Sequence, residues 1–354
     1  MSERQAGALL TALLDPSGAE RQAVVLRVVD ESGAVGWGEA SPLPGYSEDD
    51  LTDVEAGLDD WAARWTRDEI PQTGDPGDDP ALAALPAARC AVDTALLDLA
   101  ARRNGVPLHA ELLAVAPPVR PVARVPVAAL VSLTGVERPG APRGPRSVLG
   151  EVTERVAEGY KTVKLKIGGE DFAAELAQLA EIRAAFPFLQ LRLDANGSWT
   201  PEQARANLAE LKQQITPELV EQPVDSEALF SFAGAGVLLA ADESMRVPGA
   251  IERLGEAGGC AAVVLKPMVL GGSRPCLQLA RAAFAAGMGA IVSHTFGGPV
   301  AHSTACELAL ALAAIDPTGR PFASGLAGHD ELAQRRGPWV EPVAVAGHGV
   351  DGPW

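Results

Sequence analysis

From Val125 to about Ala314 short apolar runs alternate with longer amphipathic stretches, and this alternation restricts the fold more than any other feature of the chain. Strand-like runs fall at 125–131, 160–169, 189–194, 218–221, 237–241, 261–265 and 290–293. Helical periodicity follows them, at 148–158, 171–186, 226–232, 248–257, 273–286 and 300–314. The stretch 171–186 places Phe172, Leu176, Leu179 and Ile182 at helical spacing. Another helix opens with Thr200, Pro201 and Gln203: an N-cap, a proline in the first turn and a glutamine three residues after the cap. Strands separated by helices pair in parallel, because a hairpin turn is too short to carry a helix. Seven such strands, with a weak eighth near 322–324, predict an α/β fold, a (β/α)7β-type TIM-like barrel. An open doubly wound sheet of this size is normally interrupted by a nucleotide-binding fingerprint.

The part before the barrel has a different rhythm. Residues 9–40 read as strands joined by a turn at 31–33, and 41–47 as an irregular loop carrying Tyr46. Helices are predicted over 49–64 and 87–103, joined by a flexible acidic connection at 73–80. The predicted organisation is an α+β domain over 1–118, the barrel over 119–326, and a tail over 327–354 that packs back on the first domain. The Pro-, Gly- and Arg-rich stretch 137–147 is predicted to be a mobile loop. A formal net charge of −17 argues against nucleic acid or an anionic membrane as partner, and leaves a small anionic carboxylate substrate open. Four scattered cysteines without a CxxC predict buried free thiols and a cytoplasmic setting. The N-terminus shows no signal-like segment, no run is long enough to span a bilayer, and the oligomeric state stays open.

The chemistry is carried by the strand at 160–169. Lys164 and Lys166 lie two apart, so both side chains leave one face, while Val163, Leu165 and Ile167 take the other. Two neighbouring ammonium groups repel, a nearby carboxylate offsets that, and burial lowers at least one lysine pKa towards a usable base. Alone, the pattern equally describes a wet edge strand. The later strands change that balance. Their C-terminal ends, where barrel chemistry gathers, carry Asp194, Glu221, Asp242, Lys266 and the run Ser293-His294-Thr295. Each carboxylate singly reads as a helix cap or a loop ion pair. Together Asp194, Glu221 and Asp242 form an all-oxygen set suited to Mg²⁺, with Mn²⁺ as the alternative. Lys166 and Lys266 would flank that metal, an arrangement suited to taking a proton from the carbon next to a carboxylate and stabilising the enediolate.

In this setting Lys164-Leu165-Lys166, Asp194-Ala195-Asn196, Glu221-Gln222-Pro223, Asp242-Glu243-Ser244 and Leu265-Lys266-Pro267 resemble the enolase superfamily, in its muconate-lactonizing subgroup. The likeness extends to Gly36-Trp37-Gly38-Glu39 and to 91–99, stretches of that group's capping domain. Ser41-Pro42-Leu43-Pro44-Gly45, the stretch 191–197 and 264–267 most resemble the o-succinylbenzoate synthase family. That resemblance implies a Mg²⁺-assisted syn dehydration in menaquinone biosynthesis. It makes Lys166 the base, Lys266 a cation across the ring, and Lys164 a group that biases Lys166 towards neutrality. Asn196 and Glu243 would stand behind the metal ligands; Tyr46, Ser293, His294 and Thr295 are candidates for the substrate. Many relatives carry two serines or a carboxylate where this chain has Ser293-His294-Thr295. A dipeptide epimerase or N-acylamino acid racemase would use the same lysines and metal. A non-catalytic barrel binding protein is the remaining reading, against which the intact set of charged residues speaks.

Overall fold

The computed structural model describes residues 4–14, 20–70, 79–114, 120–133, 147–232, 236–328 and 337–350. Most of the predicted acidic connection, all of the predicted mobile loop but Ser147, and His329 lie outside them. The chain opens with an antiparallel sheet of β1 (Gln5–Leu14), β2 (Glu20–Val29) and β3 (Val35–Ala40). Alternation along β2 buries Val24, Leu26 and Val28 towards α1 (Leu51–Thr66) and α2 (Pro86–Asn104). Asp50 caps α1 by accepting from the Asp53 N–H, and Trp61 stacks on Trp65 with ring centres 5.3 Å apart. The glycines around Trp37 let α2 lie against β3: a Cβ on Gly38 would sit 1.8 Å from the Ala91 carbonyl oxygen. α2 ends at Gly105, whose φ of 67° is left-handed, and the short α3 (Leu108–Leu113) completes this domain.

The barrel follows. After the two-residue β4 (Val125–Pro126), β5 (Ala128–Ser132) leads through α4 (Val148–Ala157) to β6 (Thr162–Lys166). Then come α5 (Phe172–Ala185), β7 (Gln190–Asp194), α6 (Pro201–Gln214), β8 (Leu219–Glu221), α7 (Ser226–Leu229) and β9 (Leu239–Ala241). The last units are α8 (Ala250–Ala257), β10 (Cys260–Leu265), α9 (Pro267–Leu270), α10 (Ser273–Ala285), β11 (Gly289–Val292) and α11 (Pro299–Ile315). β5 to β11 form one parallel sheet in chain order. The weak eighth strand is two single bridges, Ser324 to Val127 and Gly325 to Ser293, which join the first and last strands and close the ring. The capping box at Thr200 and Gln203 is present. The helix predicted from 248 starts at Ala250, because Gly249 turns left-handed at φ 74°.

Residues of alternate parity divide between two environments. Val163, Leu165, Leu191, Leu193 and Val220 belong to the large core with the helices. Leu219, Ala240, Ala262, Val264 and Ile291 pack together within the ring. Arg192 shares their face, fully buried, donating to Glu218 and to the Ala323 carbonyl. The described part of the tail meets the barrel before the first domain. β12 (Trp339–Val340) pairs with β4 of the barrel, and only then does His348 reach the first domain, its N–H donating to Asp98.

Candidate active site

Strand register assembles the site. Lys166 pairs with Asp194 and Asp194 with Glu221, so residues far apart in sequence stand side by side at one rim. Beyond Asp194 and Glu221 the chain turns sharply, with Asn196 and Gln222 at φ 45° and 38°. The buried Gln222 carboxamide ties the next strand end in place. Its oxygen accepts from the N–H of Asp242 (3.0 Å) and of Ser244 (3.3 Å); its nitrogen donates to the Val224 carbonyl and the Ser244 hydroxyl.

The carboxylate oxygens of Asp194, Glu221 and Asp242 lie within 4.8 Å of one another, and all three residues are buried. Three buried anions this close need compensating positive charge. Lys164 supplies part of it, its ammonium donating to Glu221 and lying 2.9 Å from Asp194. The donor set is oxygen only, so the triad fits a hard divalent cation. Lys266 donates to Asp242 at 2.5 Å and to the Tyr46 hydroxyl at 2.6 Å; that hydroxyl donates to the other Asp242 oxygen at 3.2 Å. Arg246 lies over the Tyr46 ring and donates to the Tyr46 carbonyl, holding this loop of the first domain over the barrel mouth. Lys166 differs from the other two lysines: its side chain is 50% exposed and donates to the Asn196 carboxamide oxygen at 2.8 Å. Asn196 in turn donates to Glu243 at 3.1 Å.

Of the two neighbouring lysines, Lys164 does not have the pKa lowered by burial that the sequence suggested, and Lys266 across the site behaves like it. Burial acts in that direction at both, but Asp194 and Glu221 outweigh it at Lys164 and Asp242 outweighs it at Lys266, so both are raised. Burial likewise pushes Glu221 upward, and Glu243 upward with help from Asp242. At Asp194 burial is overcome by Lys164 and Lys166, and the carboxyl is lowered.

One cavity collects most of the predicted residues. Tyr46, Lys164, Lys166, Asp194, Asn196, Lys266, Ser293, His294 and Thr295 line it, with Leu43, Leu130, Phe296 and Ala327 as apolar parts of the wall. His294 turns both ring nitrogens to backbone. Nδ1 accepts from the Phe296 N–H and Nε2 donates to the Ala327 carbonyl, so the ring props up the wall. The Thr295 hydroxyl is buried without a partner among the described residues. His302 packs inside α11 and donates to the Leu326 carbonyl. His109 and His348 lie beside the buried Glu307 and Asp98. Sequence reasoning gave no role to Gln222, Arg192, Phe296, Arg21 or Glu39. Glu39 and Gln222 lay inside recognised motifs, but a motif does not say what a side chain touches.

Comparison with known proteins follows the same outline. Residues 148–346 match the family described as enolase C-terminal domain-like. Residues 16–113 match the mandelate racemase / muconate lactonizing enzyme N-terminal domain. The chain is 27% identical over 269 residues to the o-succinylbenzoate synthase of Proteus mirabilis, covering 75% of this chain and 71% of that protein. It is also 27% identical over 352 residues to an aromatic dipeptide epimerase of Herpetosiphon aurantiacus, covering 95% and 93%. The crystal structure of a dipeptide epimerase from Enterococcus faecalis superposes with a TM-score of 0.80 at 22% identity, covering 99% of both chains. Among the described residues no helix is long and apolar enough to cross a membrane.

Proposed function

The chain belongs to the enolase superfamily, with the N- and C-terminal domains of its mandelate racemase and muconate lactonizing group, and from that premise we propose that it is an o-succinylbenzoate synthase. The reaction is the syn dehydration of 2-succinyl-6-hydroxy-2,4-cyclohexadiene-1-carboxylate, in the cytoplasm, within menaquinone biosynthesis. Asp194, Glu221 and Asp242 would hold Mg²⁺, which supplies positive charge against the developing enediolate.

The observation that carries this reading is the asymmetry of the two flanking lysines. Lys266 is 12% exposed and held by a carboxylate and a phenol, as suits a fixed cation. Lys166 is half exposed, faces the cavity and has the Asn196 carboxamide as its hydrogen-bond partner, as suits a group that takes and returns a proton. In its neutral form Lys166 removes the proton α to the carboxylate. The same ammonium then protonates the hydroxyl as the C–O bond breaks, and water leaves. Lys266 stays protonated and holds the dienolate by charge. One base on one face is what a syn elimination requires.

A second reading, racemisation of an N-acylamino acid or epimerisation of a dipeptide, is favoured by the full-length likeness to the Herpetosiphon epimerase. It needs Lys266 to exchange protons as well. A dipeptide would also bring an ammonium group to the wall of Ser293, His294, Thr295 and Phe296, and none of these four residues carries a carboxylate. The test offers the purified protein the cyclohexadiene carboxylate with Mg²⁺, alongside Lys166→Ala and a chelated sample. Rapid loss of diene absorbance, reduced at least about a thousandfold in both controls, is expected. No dehydration, together with α-proton exchange on N-succinylamino acids or dipeptides that both lysines are needed for, would establish the second reading instead.

A further inference from the structure

The turn that follows β11 is gripped by the first domain. The Arg21 guanidinium, on β2, donates to the carbonyl of Thr295 at 3.2 Å and to that of Phe296. Glu39, at the end of β3, accepts from the N–H of Gly298 at 2.5 Å and of Ala301 at 3.1 Å, which caps α11. Between these two grips the turn has no slack. A Cβ on Gly297 would lie 2.8 Å from the Ser41 hydroxyl, and one on Gly298 would lie 2.8 Å from Leu13. Phe296 sits at φ 56°, a left-handed conformation that a bulky residue keeps only when its surroundings impose it. Thr295 and Phe296 line the cavity; Arg21 does not. The wall of the substrate site therefore belongs to the barrel, but its shape is imposed from behind by the first domain.

We propose that Arg21 is a specificity-determining positioning residue, which holds the Thr295–Phe296 wall in the conformation that receives the non-reacting tail of the substrate. This deepens the function proposed above, since it takes the cavity beside Phe296 to hold that tail. Lys166, which moves the proton, and Lys266, which holds the dienolate, have other partners than Arg21. Loss of Arg21 then raises KM and loosens discrimination between tails while the chemical step proceeds.

The test compares the full-length protein with Arg21→Met, which keeps bulk without donors, and Arg21→Lys, which keeps one charged donor. Hydrogen exchange of the peptide spanning 293–301 is read first, with no substrate present. Steady-state kinetics follow on the cyclohexadiene carboxylate and on an N-succinylamino acid. Expected for Arg21→Met are exchange and KM each raised about tenfold with kcat within about threefold, and for Arg21→Lys values in between. Unchanged exchange, a fall in kcat at constant KM, or equal losses in Met and Lys variants would overturn the proposal. Should Arg21→Met not fold, Arg21→Gln and Arg21→Lys carry the same comparison. If the wild type turns over neither substrate, the functional reading falls. The exchange result then rules on the grip alone: faster exchange upholds it and unchanged exchange ends it.

Discussion

Lys164 has the least freedom of the three lysines. It is the shared partner of Asp194 and Glu221, and all three groups are nearly closed off from solvent. Replacing it by leucine removes the cation and leaves two adjacent buried anions. In chelator, Lys164→Leu is expected to cost about 3 kcal/mol, with part of that regained when Mg²⁺ is added. Chemical denaturation with and without metal reads both quantities, and equal stability of variant and wild type in chelator would contradict the charge balance described here. Lys166 is the opposite case. Half exposed, donating to a neutral amide and 4.0 Å from Asp194, it is the base of the proposed reaction and is expected to contribute little to the fold, so the folding stability of Lys166→Ala should stay within about 0.5 kcal/mol of wild type. These contrasts were only partly readable beforehand. Period-two spacing put both lysines on one face, but which of them would meet the carboxylates depends on strand register.

At the scale of elements, the geometry of the three carboxylates rests on how adjacent strand ends are tied. Gln222 does this between β8 and the turn after β9, with its carboxamide bonded on both sides. Gln222→Leu leaves the N–H groups of Asp242 and Ser244 without that acceptor. The expected loss is about 3 kcal/mol of stability and about tenfold weaker Mn²⁺ binding. Calorimetric titration and denaturant melts measure the two separately; an unchanged Mn²⁺ affinity would show that the ligands are held without the tie. α2 shows the same principle between domains. Asp93 accepts from the N–H groups of Ser273 and Arg274 at the start of α10, and Asp98 from the N–H groups of Trp37 and His348. Sequence alone marked 87–103 as a helix. It did not show that two of its carboxylates would be buried as anchors, because acidic residues in a helix are ordinarily solvated.

The whole molecule is closed by its tail, and the tail carries a titratable group. His348 is fully buried; Nε2 donates to the Trp37 carbonyl and Nδ1 accepts from the Val350 N–H, which defines a neutral ring. Burial lowers its pKa, against the opposing pull of Asp98. The sign follows directly. Above the ordinary histidine pKa of about 6.5 both folded and unfolded states are neutral and nothing is lost. As pH falls below that value the unfolded state binds a proton that the folded state refuses, and stability drops until the lowered pKa is passed. Melting followed from pH 8 to pH 5 should show this loss in the wild type and a shallower one in His348→Gln, each compared with its own value at pH 8. Parallel curves would remove His348 as the cause.

The barrel, its (β/α)7β count, the capping box on α6 and the identity of the three carboxylates follow from local pattern, because side-chain period and strand-end position are properties of short segments. Tertiary structure alone decided which lysine is buried, how far the tail reaches, and that Arg21 and Glu39 of one domain shape a wall of the other. Those outcomes depend on register and on contacts between residues up to 311 positions apart. A pattern within one segment carries no record of the segment it will meet.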